Sequence, residues 1–88
     1  MIDRSKKGWD KTPVWVRVHV LADDPWELCV TPSPEQTSKS DRAHIGRKLV
    51  LEQLPPDAAG YSYIRLPLWK VERYDFEWAE SRDDLASA

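Results

Sequence analysis

Residues 13–21, PVWVRVHVL, alternate more cleanly than any other stretch of the chain. Val14, Val16, Val18 and Val20 fall on one side, and Trp15, Arg17, His19 and Leu21 on the other. Period two in β-branched residues predicts a strand, because valine is stiff at χ1 and packs well on a pleated surface. Pro13 opens the run, where a missing N–H costs least. Four valines favour one side as the buried one, but Trp15 and Leu21 lie on the other, so the buried face stays open; either way the remaining segments must supply partners.

Several segments have the right pattern. ADDP at residues 22–25 favours chain reversal, and WELCV after it predicts a second strand with Trp26, Leu28 and Val30 on one side. Residues 31–43, TPSPEQTSKSDRA, are small, polar and proline-containing, which predicts a long loop. Residues 47–54, RKLVLEQL, fit a strand through Leu49 and Leu51 better than a helix that would align Ile45, Leu49 and Glu52. PPDAAG reads as a turn, with Gly60 available for a positive φ. YSYIRL predicts a fourth strand, Pro67 breaks it, and LWKVERYDFEW predicts a bent fifth. In that last segment Tyr74, Phe76 and Trp78 would share one face, with Asp75 and Glu77 on the other.

Five short strands predict a mainly β chain: a small antiparallel sheet or a five-stranded barrel, SH3-like or OB-like. The alternative is an α+β arrangement with one helix near residues 40–54. With 88 residues the chain has room for a single domain, 1–88, with a radius of gyration of about 12 Å. Residues 1–12 read as a polar leader and 79–88 as a polar acidic tail. Five tryptophans, three tyrosines and one phenylalanine carry so much of the apolar surface that most rings are expected in the core.

The chemistry is as informative by exclusion. One cysteine, Cys29, rules out an internal disulfide framework. Three scattered glycines, at 8, 46 and 60, rule out the glycine-rich phosphate loops. Neither Cys–His spacing nor a calcium-loop pattern is present, so no metal and no cofactor are expected. The first residues lack an apolar signal core and no run is long enough to span a membrane, which predicts a cytoplasmic protein with no membrane partner. A ribonuclease-type acid–base pair would need His19 and His44 to meet, with Lys48 nearby, and nothing in the spacing brings them together. The chain is therefore read as non-catalytic.

Net charge is −2, yet the charges are segregated. Arg4, Lys6, Lys7, Lys11 and Arg17 make the start basic, and Lys39, Arg42, Arg47 and Lys48 make a second basic stretch around His44. Glu72, Asp75, Glu77, Glu80, Asp83 and Asp84 make the end acidic around Trp78. Carboxylates beside a large ring suit a protein partner with a basic surface. These seven residues are the expected protein-binding site, in a monomer or homodimer. That predicts a small binding protein, with an accessory or inhibitor protein of a phage-type mobile element, blocking the basic surface of a nucleic-acid enzyme, as its concrete version. The alternative is a single-stranded nucleic-acid-binding barrel. It would use Lys39, Arg42, His44, Arg47 and Lys48 for phosphates, and outward rings such as Trp15, Tyr61 and Tyr63 for bases.

Overall fold

The valine run is where the sheet is built. In the computed structural model, which describes residues 2–35 and 38–86, β1 spans Pro13–Asp23. It is followed by β2 (Glu27–Thr31), β3 (Ala43–Gly46), β4 (Glu52–Gln53) and β5 (Ser62–Pro67). A short helix α1 (Leu68–Val71), strand β6 (Glu77–Ala79) and helix α2 (Arg82–Ala86) complete the chain. The strands form one antiparallel sheet in the order β3-β2-β1-β5-β4, with β6 also on β1. The sheet is not closed into a barrel: β3 and β4 are its two ends. The radius of gyration is 12.6 Å.

β1 serves two halves of the sheet. Its first half pairs with β5, Val14 opposite Leu66 and Val16 opposite Ile64. On its other edge Trp15, Val16 and Arg17 pair with Ala79, Trp78 and Glu77 of β6. From His19 onward that same edge belongs to β2, with a register shift between Val20 and Ala22. A bulge at this point bends the strand and lets it pass from one half to the other.

The core is aliphatic. Val14, Val16 and Val18 meet Ile64 and Leu66 of β5, Leu28 and Val30 of β2, and Ala43 and Ile45 of β3. Leu68 and Val71 from α1 and Phe76 close it. The expectation that most rings are core is corrected: Phe76 is the one buried aromatic among the described residues. Trp9, Trp15, Trp69, Tyr61, Tyr63 and Tyr74 are half-buried, while Trp26 and Trp78 are exposed. Valine and isoleucine at strand positions fill a thin core without needing a partner for an indole N–H, which pushes the indoles to its rim.

Four further expectations change. Residues 68–78 are not one bent strand. β5 and β6 are both antiparallel to β1 and lie on its opposite edges, so they run parallel and need a crossover rather than a hairpin. Residues 68–76 make it with α1 and a turn, burying Leu68, Val71 and Phe76 on the way. Tyr74 and Phe76 stack at 5.1 Å within this crossover instead of sharing a strand face with Trp78. Residues 47–54 form a 3₁₀ turn at Arg47–Leu49 and the two-residue β4, so neither a full strand nor the alternative helix over 40–54 forms. Trp26 lies outside β2, in the β1–β2 connection. The polar leader is also folded: Ile2 and Trp9 pack against the core, and the Leu68 amide donates to the Thr12 carbonyl at 2.9 Å.

An aliphatic core predicts how stability divides. Ile64→Ala is expected to cost about 2–5 kcal/mol in urea unfolding, whereas Trp26→Ala should stay within about 0.5 kcal/mol of wild type. Equal losses would show that the ring, not the aliphatic cluster, holds the fold.

Candidate functional site

Two surfaces emerge from this topology, one on each side of β6. The first is the β6 edge. β6 pairs with β1 on one side, and among the described residues no strand pairs with its other side. Trp78 projects from it with 37% of its surface exposed. Asp75, Glu77 and Glu80 surround it in sequence and are exposed, and α2 adds Asp83 and Asp84. Within this group Glu77 faces Arg17 at 3.8 Å, and Glu72 meets Arg4 at 3.3 Å. Arg82 and Asp83 approach to 3.9 Å. Asp75 also lines a 290 Å³ hollow with Arg73, Tyr74 and Phe76, where Pro32, Ser40 and Asp41 of the long loop meet the crossover. The expected protein-binding residues thus gather around β6, except that Glu72 sits earlier, beside α1.

The second surface is the outer face of β6-β1-β5-β4, opposite the core. Strand register places Trp15 beside Arg65 and Ala79, and Arg17 beside Tyr63 and Glu77. Glu52 of β4 lies opposite Arg65. Directly paired residues share a face, so rings and guanidinium groups alternate across the strands. Arg17 lies 3.9 Å above the Tyr61 ring, and Arg65 lies 6.0 Å from that of Trp15. Each arginine is flanked by a carboxylate, Glu77 for Arg17 and Glu52, at 3.1 Å, for Arg65. The Nε atoms of both arginines are buried without a hydrogen-bond acceptor. Sequence alternation points to Trp15, Tyr61 and Tyr63 as outward rings; Arg17 and Arg65 become visible as their companions only once β1 and β5 are paired.

The same pattern recurs elsewhere. Arg4 sits 4.3 Å from the Trp9 ring, Arg73 5.2 Å from Trp69 and Lys70 5.4 Å from Tyr74. Half-buried rings are thus repeatedly capped by cations, an arrangement worth roughly 0.5–1 kcal/mol each at exposed sites.

Two members of the basic stretch 39–48, His44 and Arg47, are engaged by other segments. The stretch runs through a 3₁₀ turn (Lys39–Asp41), β3 and a second turn. His44 Nδ1 donates to Glu27 at 2.6 Å. Arg47 is pinned: its Nε donates to the Asp24 carbonyl at 3.0 Å, a second nitrogen donates to Gln53 at 2.7 Å, and it pairs with Asp23. Lys39, Arg42 and Lys48 are exposed.

His19 and His44 are held apart. His19 Nδ1 donates to the Gly60 carbonyl at 2.9 Å, at a turn where Gly60 has φ +87°. β2 lies between the two histidine-bearing strands, so two strand spacings, about 10 Å, separate β1 from β3. His19 lines a half-open hollow of 670 Å³ with Val20, Gln53, Leu54 and Asp57, on the side of β1 away from β3. Among the described residues no three His, Cys, Asp or Glu side chains gather as metal ligands, and no helix is long and apolar enough to cross a membrane. Cys29 is a free, buried thiol. The Asp3 carboxyl is held below its usual range by the Ser5 hydroxyl and amide.

No family model matches the chain, and neither the curated proteins nor the solved structures include a match to it.

The Arg17–Tyr61 contact is measurable. A double-mutant cycle with Arg17→Met and Tyr61→Leu should give a coupling of about 0.5–1 kcal/mol in urea unfolding. A coupling indistinguishable from zero would mean the ring does not hold the guanidinium.

Proposed function

We propose that this chain is a non-catalytic binding module of the cytoplasm, and that the β6 edge docks on a partner protein with a basic surface. The observation that carries this reading is Trp78, a large ring left exposed on an edge strand and set among carboxylates. Three properties support it. Tryptophan is the residue most often found to dominate an interface when it is buried by a partner. The unpaired edge of β6 offers backbone donors and acceptors to an incoming extended segment. Asp75, Glu77, Asp83 and the neighbouring acidic residues favour Lys- or Arg-rich partners and repel acidic ones. A nucleic-acid enzyme meets the requirement, since its working surface is basic by necessity. An accessory or inhibitory role against such an enzyme is the concrete form of the proposal.

Capture from a lysate of the source organism tests it. Immobilised wild type should retain one specific partner, and Trp78→Ala should weaken its retention about thirty-fold, the loss expected for a hot spot of about 2 kcal/mol. The Asp75→Ala, Glu77→Ala, Asp83→Ala variant should bind more weakly at low salt, and its retention should fall less with rising salt than that of wild type. If both variants retain the partner as wild type does, the β6 edge is not the docking site. Sedimentation of the protein alone distinguishes a homodimer: a wild-type dimer that Trp78→Ala converts to monomer would make a second copy the occupant.

A further inference from the structure

The Arg17–Arg65 face is a separate surface, pointing away from the core, and the acidic edge does not account for it. Its residues form a ladder on two paired strands: Pro13, Trp15 and Arg17 on β1, and Tyr63, Arg65 and Pro67 on β5. Three features ask for an explanation together. The first is a pair of neighbouring arginines, Arg17 and Arg65, whose Nε–H groups are buried while 24% and 39% of their side-chain surfaces stay exposed. The second is the set of rings, Trp15, Tyr61 and Tyr63, half-buried and interleaved with those arginines. The third is a 500 Å³ groove at the Pro13 end, lined by Lys6, Lys7, Trp9 and Arg65. Asp3 and Glu80 border it as well, and Asp3 is already engaged by Ser5. From Pro13 to Arg17 the ladder runs about 13 Å.

We infer that this face is a docking track for single-stranded nucleic acid, with bases against Trp15, Tyr61 and Tyr63 and phosphates at Arg17, Arg65 and the Lys6–Lys7 groove. Charge and shape choose this occupant. Phosphate oxygens are acceptors that can replace the carboxylates now beside the exposed guanidinium nitrogens, and flat rings between them match the π-faces of bases. A duplex hides its base faces from such rings, so the strand must be single. An acidic polypeptide would satisfy the arginines but leave the rings without a role.

Glu52 and Glu77 are then competitors. Each occupies the side of an arginine where a phosphate would sit. This gives the inference a signature that simple loss-of-function variants lack: removing a carboxylate should improve binding. Both glutamates are 51% exposed, so the substitutions leave the core untouched.

The test is fluorescence anisotropy of a labelled oligothymidylate of about 12 nucleotides with the full chain, over a range of salt. Saturable binding is expected, with a log–log salt slope of about −1.4 or steeper for two arginine–phosphate contacts. Arg17→Gln and Arg65→Gln should each flatten the slope by about 0.7. Trp15→Leu should weaken binding about ten-fold. Glu52→Gln and Glu77→Gln should each tighten it, with unchanged thermal unfolding. The inference is overturned if folded wild type shows no saturable binding at low salt. It is overturned equally if polyglutamate or duplex DNA competes as well as the single strand, or if the two glutamate variants bind no better than wild type. Loss of binding on Lys39→Ala with Lys48→Ala, but not on Arg65→Gln, would move the track to the β3 side. None of these outcomes bears on capture of a protein partner through Trp78, so the two surfaces stand or fall separately.

Discussion

Hydrogen bonding on both edges of β1 is the constraint from which the rest of the structure follows. Along Trp15–Arg17 the strand is held by β5 on one side and β6 on the other. Val16 at its centre is covered by Ile64, and its own neighbours Val14 and Val18 are equally buried. β2 takes up the second edge only from His19. The stretch it leaves is the place where β6 can pair, and because β6 is three residues long and has no further neighbour among the described residues, it ends the sheet there. The exposed edge carrying Trp78 is thus a consequence of where β2 stops. The crossover through α1 follows from the same fact, since a strand on the far side of β1 cannot be reached from β5 by a tight turn.

An aliphatic core changes what the aromatic residues are for. Fully buried rings would contribute apolar area and little else. At the rim each ring keeps one face or edge near solvent, and cations settle over five of them. A guanidinium lying on a ring loses little conformational freedom when it then binds an acceptor, because the ring already restricts it. The outer face is therefore rigid and donor-rich, and the β6 edge is acidic with one exposed ring. Two chemically opposite surfaces sit on one small sheet because adjacent positions on β6 point to opposite sides: Glu77 to the outer face with Arg17, Trp78 to the side of Val16.

Much of the sheet is legible from the chain alone, and the failures have a common cause. β1, the body of β2, β5 and the break at Pro67 are carried by local signals: valine alternation, flanking turns and a proline. Which face of β1 is buried is not legible, because Trp15 and Leu21 stand against the four valines; the fold settles it by burying Val14, Val16 and Val18. Residues 68–76 mislead because Tyr74, Phe76 and Trp78 mimic a period of two, while the decisive requirement, crossing over β1, is non-local. Trp26 misleads similarly, completing an alternation with Leu28 and Val30 although the hairpin connection claims it. Of the site, the acidic surroundings of Trp78 are visible as charge segregation. The Arg17–Arg65 ladder is not, because it depends on which residue of β5 faces which residue of β1. The basic stretch 39–48 looks like one patch in sequence, yet Glu27, Asp23 and Gln53 from other segments engage His44 and Arg47.

Glu77 links the two surfaces. Its carboxylate is at once a member of the acidic edge and the counter-ion of Arg17. A basic partner that draws Glu77 toward itself leaves the Arg17 guanidinium more available to a phosphate, and a phosphate at Arg17 releases Glu77 to a basic partner. Such coupling is reciprocal by thermodynamic necessity. Its size is bounded by the ion pair that is exchanged. Exposed pairs contribute about 0–1 kcal/mol, so each ligand can raise affinity for the other by no more than about five-fold. A coupling of that size biases joint occupancy without enforcing it.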